Sequence, residues 1–255
     1  GAGTSVAFET YDRKASSREI WTMSTVSGSP VRRTFDPADD ADPLWTPDGS
    51  AILFTRNGTE AVFKLALEGG SAPTPFLADT VSPLTTHAIS PDGKTIIGTR
   101  RASTVATEVD GGAAERKLAA SVIKPQFSPN GRFIAYELLE GDRLEAFVQP
   151  FPPTGAKWQV SRAGGRMVRW HPNGQELYFL TEDETLMAVK VSTDAEFTFE
   201  APVALFKTHL AASIFTAFRH NYAVSRDGRF LMVEPTATDR VESLGVSTGW
   251  RAGGH

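Results

Sequence analysis

Apolar residues in this chain fall in short runs of three or four, and each run follows a tight polar turn. Trp45-Thr46-Pro47-Asp48-Gly49 leads into Ala51-Ile52-Leu53-Phe54, and Ile89-Ser90-Pro91-Asp92-Gly93 into Thr95-Ile96-Ile97. Phe127-Ser128-Pro129-Asn130-Gly131 leads into Phe133-Ile134-Ala135-Tyr136, and Trp170-His171-Pro172-Asn173-Gly174 into Leu177-Tyr178-Phe179. Val224-Ser225-Arg226-Asp227-Gly228 precedes Phe230-Leu231-Met232-Val233. The five turn glycines stand 44, 38, 43 and 54 residues apart. Pro presets φ at the first bend position, Asp or Asn tolerates a tight bend, and Gly takes positive φ without a steric cost. Each turn therefore joins two strands of a hairpin.

A third strand follows each hairpin: Ala61 to Leu65, Ala102 to Val109, Ala146-Phe147-Val148, Leu186 to Val189 and Leu244-Gly245-Val246. Turns such as Glu68-Gly69-Gly70 and Asp110-Gly111-Gly112 lead to a more polar fourth segment. Four short antiparallel strands per repeat are the pattern of a propeller blade. One small sheet cannot cover both of its faces, whereas stacked blades cover each other's, which explains middle strands that are apolar on both sides. Pro and Gly in every window exclude long helices. The expected fold is all-β, a β-propeller of about six four-stranded antiparallel blades with the first and last incomplete. It forms a single domain over 1–255, with units near 1–38, 39–80, 81–120, 121–162, 163–210 and 211–255. Val6 to Thr10, Glu19 to Met23 and Val31 to Thr34 fit second, third and fourth strands without a first, and the last unit stops near Trp250. The pattern favours a natural polypeptide that continues upstream of Gly1.

The repeated turn after an aromatic resembles the WD40-like repeats of TolB-type propellers. From Val148 onward, Gln149-Pro150-Phe151-Pro152-Pro153, Lys157-Trp158-Gln159-Val160-Ser161, Gly164-Gly165-Arg166 and Arg169-Trp170 resemble the C-terminal propeller of bacterial receptor-like serine/threonine kinases. Asn173 to Phe179, Leu186 to Val189, Tyr222 to Val233 and Gly245 to Trp250 extend the likeness. Arg226 stands where the turn proline is usual, and Ala102 to Thr107 is a weakly apolar third strand. The resemblance implies an extracytoplasmic or periplasmic sensor or interaction part of a longer signalling protein. The kinase's own motifs, a glycine loop, His-Arg-Asp and Asp-Phe-Gly, are not in this chain.

Composition narrows the function. The 255 residues carry 26 Lys plus Arg against 30 Asp plus Glu, a net charge of −4 that argues against nucleic acid or an anionic membrane as the main partner. Zero cysteines exclude disulfides, thiolate metal sites and a cysteine nucleophile. No apolar run approaches the ~18–20 residues of a membrane span.

Few motifs carry chemistry. Gly93-Lys94-Thr95 lies in a hairpin turn and lacks the upstream glycine of a phosphate loop, since Ala88 stands there. No Gly-x-Ser-x-Gly elbow occurs. Asn57-Gly58-Thr59 matches a glycosylation sequon but reads as a hairpin turn. The five histidines include no helical zinc pair; His171 replaces the Ser or Thr of its sibling turns and has a structural role, and His255 is terminal. Trp45, Phe127 and Trp170 recur in register, which means packing between blades.

The acidic stretch from Asp36 to Pro43 offers four carboxylates before an inner strand and reads as a solvated loop, with a weak cation site as its alternative. Loops leading into inner strands converge at one mouth of a propeller's channel. Aligned units place Asp42, Thr86, Lys124, Met167 and Asn221 at equivalent positions, with Leu44, Ala88, Gln126, Arg169 and Ala223 two residues on. Strand alternation then puts both sets on one side. The candidate ligand-binding residues are Asp39, Asp40, Asp42, His87, Lys124, Arg166, Arg169 and His220; no catalytic residue, metal or cofactor is expected. The expected function is noncatalytic binding of a protein, peptide or small polar ligand. The alternatives are a metal-dependent lactonase- or lyase-like propeller enzyme and a TolB-like partner of a periplasmic assembly.

Overall fold

The computed structural model describes residues 5–12, 16–59, 61–78, 84–109, 115–118, 122–210 and 221–233. These residues are all-β, a propeller arrangement of small antiparallel sheets. Two compact units divide between residues 120 and 121, where the third repeat gives way to the fourth. The expected third strand of the last repeat, Leu244-Gly245-Val246, lies outside the described residues.

The first unit opens with a three-stranded sheet of β1 (Ser5–Asp12), β2 (Ser17–Ser24) and β3 (Pro30–Arg32), in which β1 is an edge, as the missing first strand requires. Two four-stranded sheets follow. The first runs β4 (Asp40–Trp45), β5 (Ala51–Arg56), β6 (Ala61–Ala66), β7 (Thr74–Ala78). The second runs β8 (Thr85–Ile89), β9 (Thr95–Arg100), β10 (Ser103–Glu108), β11 (Arg116–Lys117).

The second unit begins with β12 (Ile123–Phe127), β13 (Phe133–Glu140), β14 (Arg143–Pro150) and β15 (Trp158–Gln159). Next come β16 (Arg166–Trp170), β17 (Glu176–Leu180), β18 (Thr185–Ser192), β19 (Thr198–Phe199) and β20 (Val203–Lys207). Here β19 pairs with the end of β18 and β20 with its start. Two outer strands in place of one account for part of the longer spacing to Gly228. The pair β21 (Tyr222–Val224) and β22 (Phe230–Met232) completes the described strands.

The repeated turns form as their chemistry dictates. In each, the glycine N–H donates to the carbonyl three residues back, from Gly49 to Thr46 at 2.8 Å through Gly228 to Ser225 at 3.0 Å, and every glycine has positive φ. The Ser or Thr hydroxyl donates to the turn Asp or Asn and accepts an N–H across the turn, as Ser90 does with Asp92 Oδ1 (2.5 Å) and Thr95 N (2.9 Å). At His171 the ring Nδ1 accepts the Asn173 N–H instead, at 3.0 Å, so this histidine serves the turn.

Packing between successive sheets supplies the core. Phe133, Ala146, Val148 and Val160 from one sheet meet Val168, Trp170, Leu177 and Val189 from the next. Trp170 is 3% exposed, and its backbone N and Nε1 donate to Gln126 Oε1 (3.0 Å) and Gln126 O (3.2 Å). Trp170 therefore joins adjacent sheets by burial and by hydrogen bonds.

Candidate functional site

Each inner strand of the complete sheets loses register once near its start: between Ala41 and Leu44, Thr86 and Ala88, Ile123 and Gln126, and Arg166 and Arg169. These are β-bulges, which bend a strand and re-aim its side chains. Asp42, Lys124 and Met167 sit in them with φ of 55°, 47° and 55°, a left-handed conformation that costs a non-glycine residue about 1–2 kcal/mol. Such strain persists only where surrounding groups fix it. Glu9 on β1 accepts the Asp42 N–H at 2.7 Å, and Glu137 on β13 accepts the Met167 N–H at 2.7 Å. The two glutamates hold equivalent positions in their sheets, Glu9 opposite Ile20 and Glu137 opposite Ala146. Each also meets a cation: Arg18 lies 3.5 Å from Glu9, and Lys124 lies 3.6 Å from Glu137.

The β16 bulge changes which side chains share a face. Arg166 pairs with Leu180 and Arg169 with Tyr178. Leu180 and Tyr178 are two apart on β17 and so share a face. Their partners therefore share one too, although Arg166 and Arg169 are three apart and regular alternation would separate them. Three cations of the second unit act on Glu137: Lys124 lies 3.6 Å from it, and Arg166 and Arg169 interact with its charge. Glu137 is fully buried and Lys124 is 5% exposed. Burial pushes the Glu137 carboxyl up and the Lys124 ammonium down, in each case outweighing their mutual attraction. Burial also lowers the Arg169 guanidinium to about 10, so it stays charged at neutral pH. Tyr222 donates to Met167 O at 2.7 Å, and burial raises its pKa, keeping the donor protonated. Arg166 reaches Glu184 at 3.7 Å. Among the described residues, Glu137 Oε2, Arg166 Nε and Arg169 Nε are buried without a hydrogen-bond partner.

The first unit's candidates are committed differently. Asp39 accepts Arg18 Nε (2.9 Å) and NH2 (2.6 Å), the Arg18 backbone N–H (2.6 Å) and Asn57 Nδ2 (2.6 Å). The Arg18 hydrogen bond holds this carboxyl well below the usual range. Asp40 is fully buried against Arg56 Nε (2.7 Å) and NH2 (3.0 Å). Much of the acidic stretch is thus spent on two arginines. Asp42 contributes its bulged backbone, and His220 lies outside the described residues.

His87 Nε2 is 2.7 Å from Thr99 Oγ1, and burial lowers its pKa from 6.5 to about 4. The folded state then resists a proton that the unfolded chain accepts, so stability is complete above pH 6.5 and falls as pH drops toward 4. A loss of about 2–3 kcal/mol over that window is expected. Urea unfolding midpoints of the protein and of His87→Asn, compared at pH 7 and pH 4.5, measure it; the variant should lose less stability on acidification.

Among the described residues, no group of three or more His, Asp or Glu is placed to hold a metal ion. Two open grooves, of about 570 and 590 Å³, lie at the polar-turn ends of the inner strands, away from the bulges. Asn173, Lys190 and Thr193 line one; Thr46, Lys64 and Pro91 line the other. Sequence reading missed Glu137, Glu184 and Tyr222. A signal for Glu137 existed: it stands six residues past its turn glycine, where three sibling repeats carry Thr55, Thr99 and Leu180 and the last carries Glu234.

The solved TolB of Acinetobacter baumannii superposes with a TM-score of 0.70 over 93% of this chain, at 12% identity, and this chain covers 60% of that one. The fold is a TolB-like β-propeller. The Tol-Pal system protein TolB of Bordetella pertussis is 40% identical over 57 residues, 21% of this chain and 13% of that protein. An oligogalacturonate lyase of Vibrio parahaemolyticus has a TM-score of 0.59 over 90% of this chain and 67% of its own, at 11% identity. No family model matches the chain. The chain covers less than two thirds of the Acinetobacter TolB, and its match to the Bordetella protein spans 13% of that protein's length.

Proposed function

We propose that this chain is a noncatalytic binding propeller, the extracytoplasmic interaction part of a longer signalling protein of the receptor-like kinase type. The observation that carries the binding role is the group on and beside the bulged strands: three cations acting on one buried carboxylate, with two guanidinium N–H groups lacking acceptors among the described residues. Preformed polar groups of this kind orient a ligand. The signalling context rests on the sequence likeness from Val148 onward.

The purified chain, screened against an immobilised peptide library beside an Arg166→Met/Arg169→Met variant, tests the binding role. Selective binders that the variant loses are expected; identical binding by the variant would overturn it. The complete reading frame tests the context, with a kinase domain and a membrane span upstream as the expected result. The matching stretch in Bordetella TolB favours a second reading, a TolB-like partner of a periplasmic assembly. A reading frame without a kinase domain, together with capture of Tol-Pal components, would select it.

A further inference from the structure

Most arginines in this protein that are held by carboxylates meet them closely: Arg18 with Asp39 at 2.6 Å, Arg32 with Glu19 at 2.6 Å, Arg56 with Asp40 at 2.7 Å, Arg143 with Glu145 at 3.1 Å. Arg169 has no carboxylate within 4.0 Å among the described residues, and Arg166 reaches Glu184 only at 3.7 Å. Their Nε–H groups are buried and have no acceptor among the described residues. A buried donor left unsatisfied costs about 1–3 kcal/mol, which an arriving acceptor would relieve.

We propose that Arg166, Arg169 and Lys124 form a subsite for a single carboxylate group of the ligand. The inference rests on the binding reading above and names its ligand chemistry. Charge supports one carboxylate over a more highly charged anion. Among the described residues the three cations act on Glu137 and Glu184, which leaves one positive charge in excess, matched by a monoanion. Shape agrees, because a guanidinium presents planar paired donors that fit a carboxylate's two oxygens. The β16 bulge supplies the geometry by placing both guanidinium groups on one face, and Glu137 fixes the bulge through the Met167 N–H. Arg169 is the positioned donor and Lys124 the deeper charge.

The test follows the arginine Nε–H resonances of the ¹⁵N-labelled protein during titration with sodium acetate, with the peptide Gly-Gly-Ala bearing a free C-terminus, and with the same peptide amidated. Saturable shifts of the Arg166 and Arg169 signals are expected with acetate or the free acid and none with the amide. A response to acetate alone assigns the site to small acids, and a stronger response to the free-acid peptide assigns it to chain termini. Arg169→Met keeps the apolar stem and should weaken binding by about tenfold or more, whereas Arg169→Lys should retain part of it. If Arg169→Met fails to fold by circular dichroism, Arg166→Met decides by the same criterion. Equal shifts with the amide, no saturable shift with any carboxylate, or unchanged affinity in the folded variants would overturn the proposal. If library binders still depend on the two arginines while acetate and the free acid fail, the ligand class falls and the binding role stands.

Discussion

Glu137→Ala is expected to cost about 3–5 kcal/mol of stability, because it leaves the Lys124 ammonium buried without its counter-charge and the Met167 N–H without an acceptor. The two losses act on one point. Met167 holds a left-handed φ of 55° that nothing intrinsic to methionine favours. Glu137→Gln keeps an amide oxygen for the Met167 N–H and should cost roughly 1–2 kcal/mol, in line with a retained hydrogen bond and a lost ion pair. The double variant Glu137→Leu/Lys124→Met removes both charges, and exchanging a buried ion pair for apolar groups is often close to neutral. It should recover at least half of the alanine variant's loss; the equivalent position of the next repeat carries a buried leucine, Leu180. Urea unfolding followed by tryptophan fluorescence ranks the three. An alanine variant within 1 kcal/mol of the parent protein would contradict the role given to Glu137.

Gly98→Ala is expected to cost about 3 kcal/mol, at the upper end of overpacking in a strand core. A Cβ there would lie 2.6 Å from the Thr85 carbonyl oxygen and 2.7 and 2.8 Å from Leu84 Cδ1 and Cγ. The leucine can shift, but the carbonyl belongs to the strand paired beside it and cannot. Three sibling repeats carry Phe54, Tyr136 and Phe179 at this position, all buried, and the last carries the half-buried Val233. In the third repeat Leu84 takes up the space of the missing ring, so the repeat pattern alone wrongly invites an aromatic. Thermal unfolding should show a clear fall in midpoint for Gly98→Ala and a deeper one for Gly98→Phe. A stabilised Gly98→Phe would mean that the cavity is open.

These examples mark how far the sequence carries. The turns, the hairpins they close and the aromatic between sheets were legible because each depends on local chemistry: φ preset by Pro, positive φ at Gly, a hydroxyl one turn away. The short first sheet was legible as well, since Val6 to Thr10 has no partner run before it. The bulges were not. An extra residue in an inner strand leaves no mark in composition, and period-two reading across it puts Arg166 and Arg169 on opposite faces. Asp39 and Asp40 read as open loop charges because their partners, Arg18 and Arg56, lie 21 and 16 residues away along the chain. Glu137 was hidden among the apolar residues of β13, visible only when its repeat position is compared with Thr55, Thr99, Leu180 and Glu234.

The idea that a buried carboxylate pins the bulged strand, and with it the cationic face, is tested most directly by a carboxyl ¹³C titration of Glu137 read together with the Met167 amide proton. Glu137 should titrate above the ordinary glutamate value of about 4.3, with the Met167 amide resonance moving at the same pH. A Glu137 carboxyl that titrates in the ordinary range while the Met167 amide stays still would contradict it.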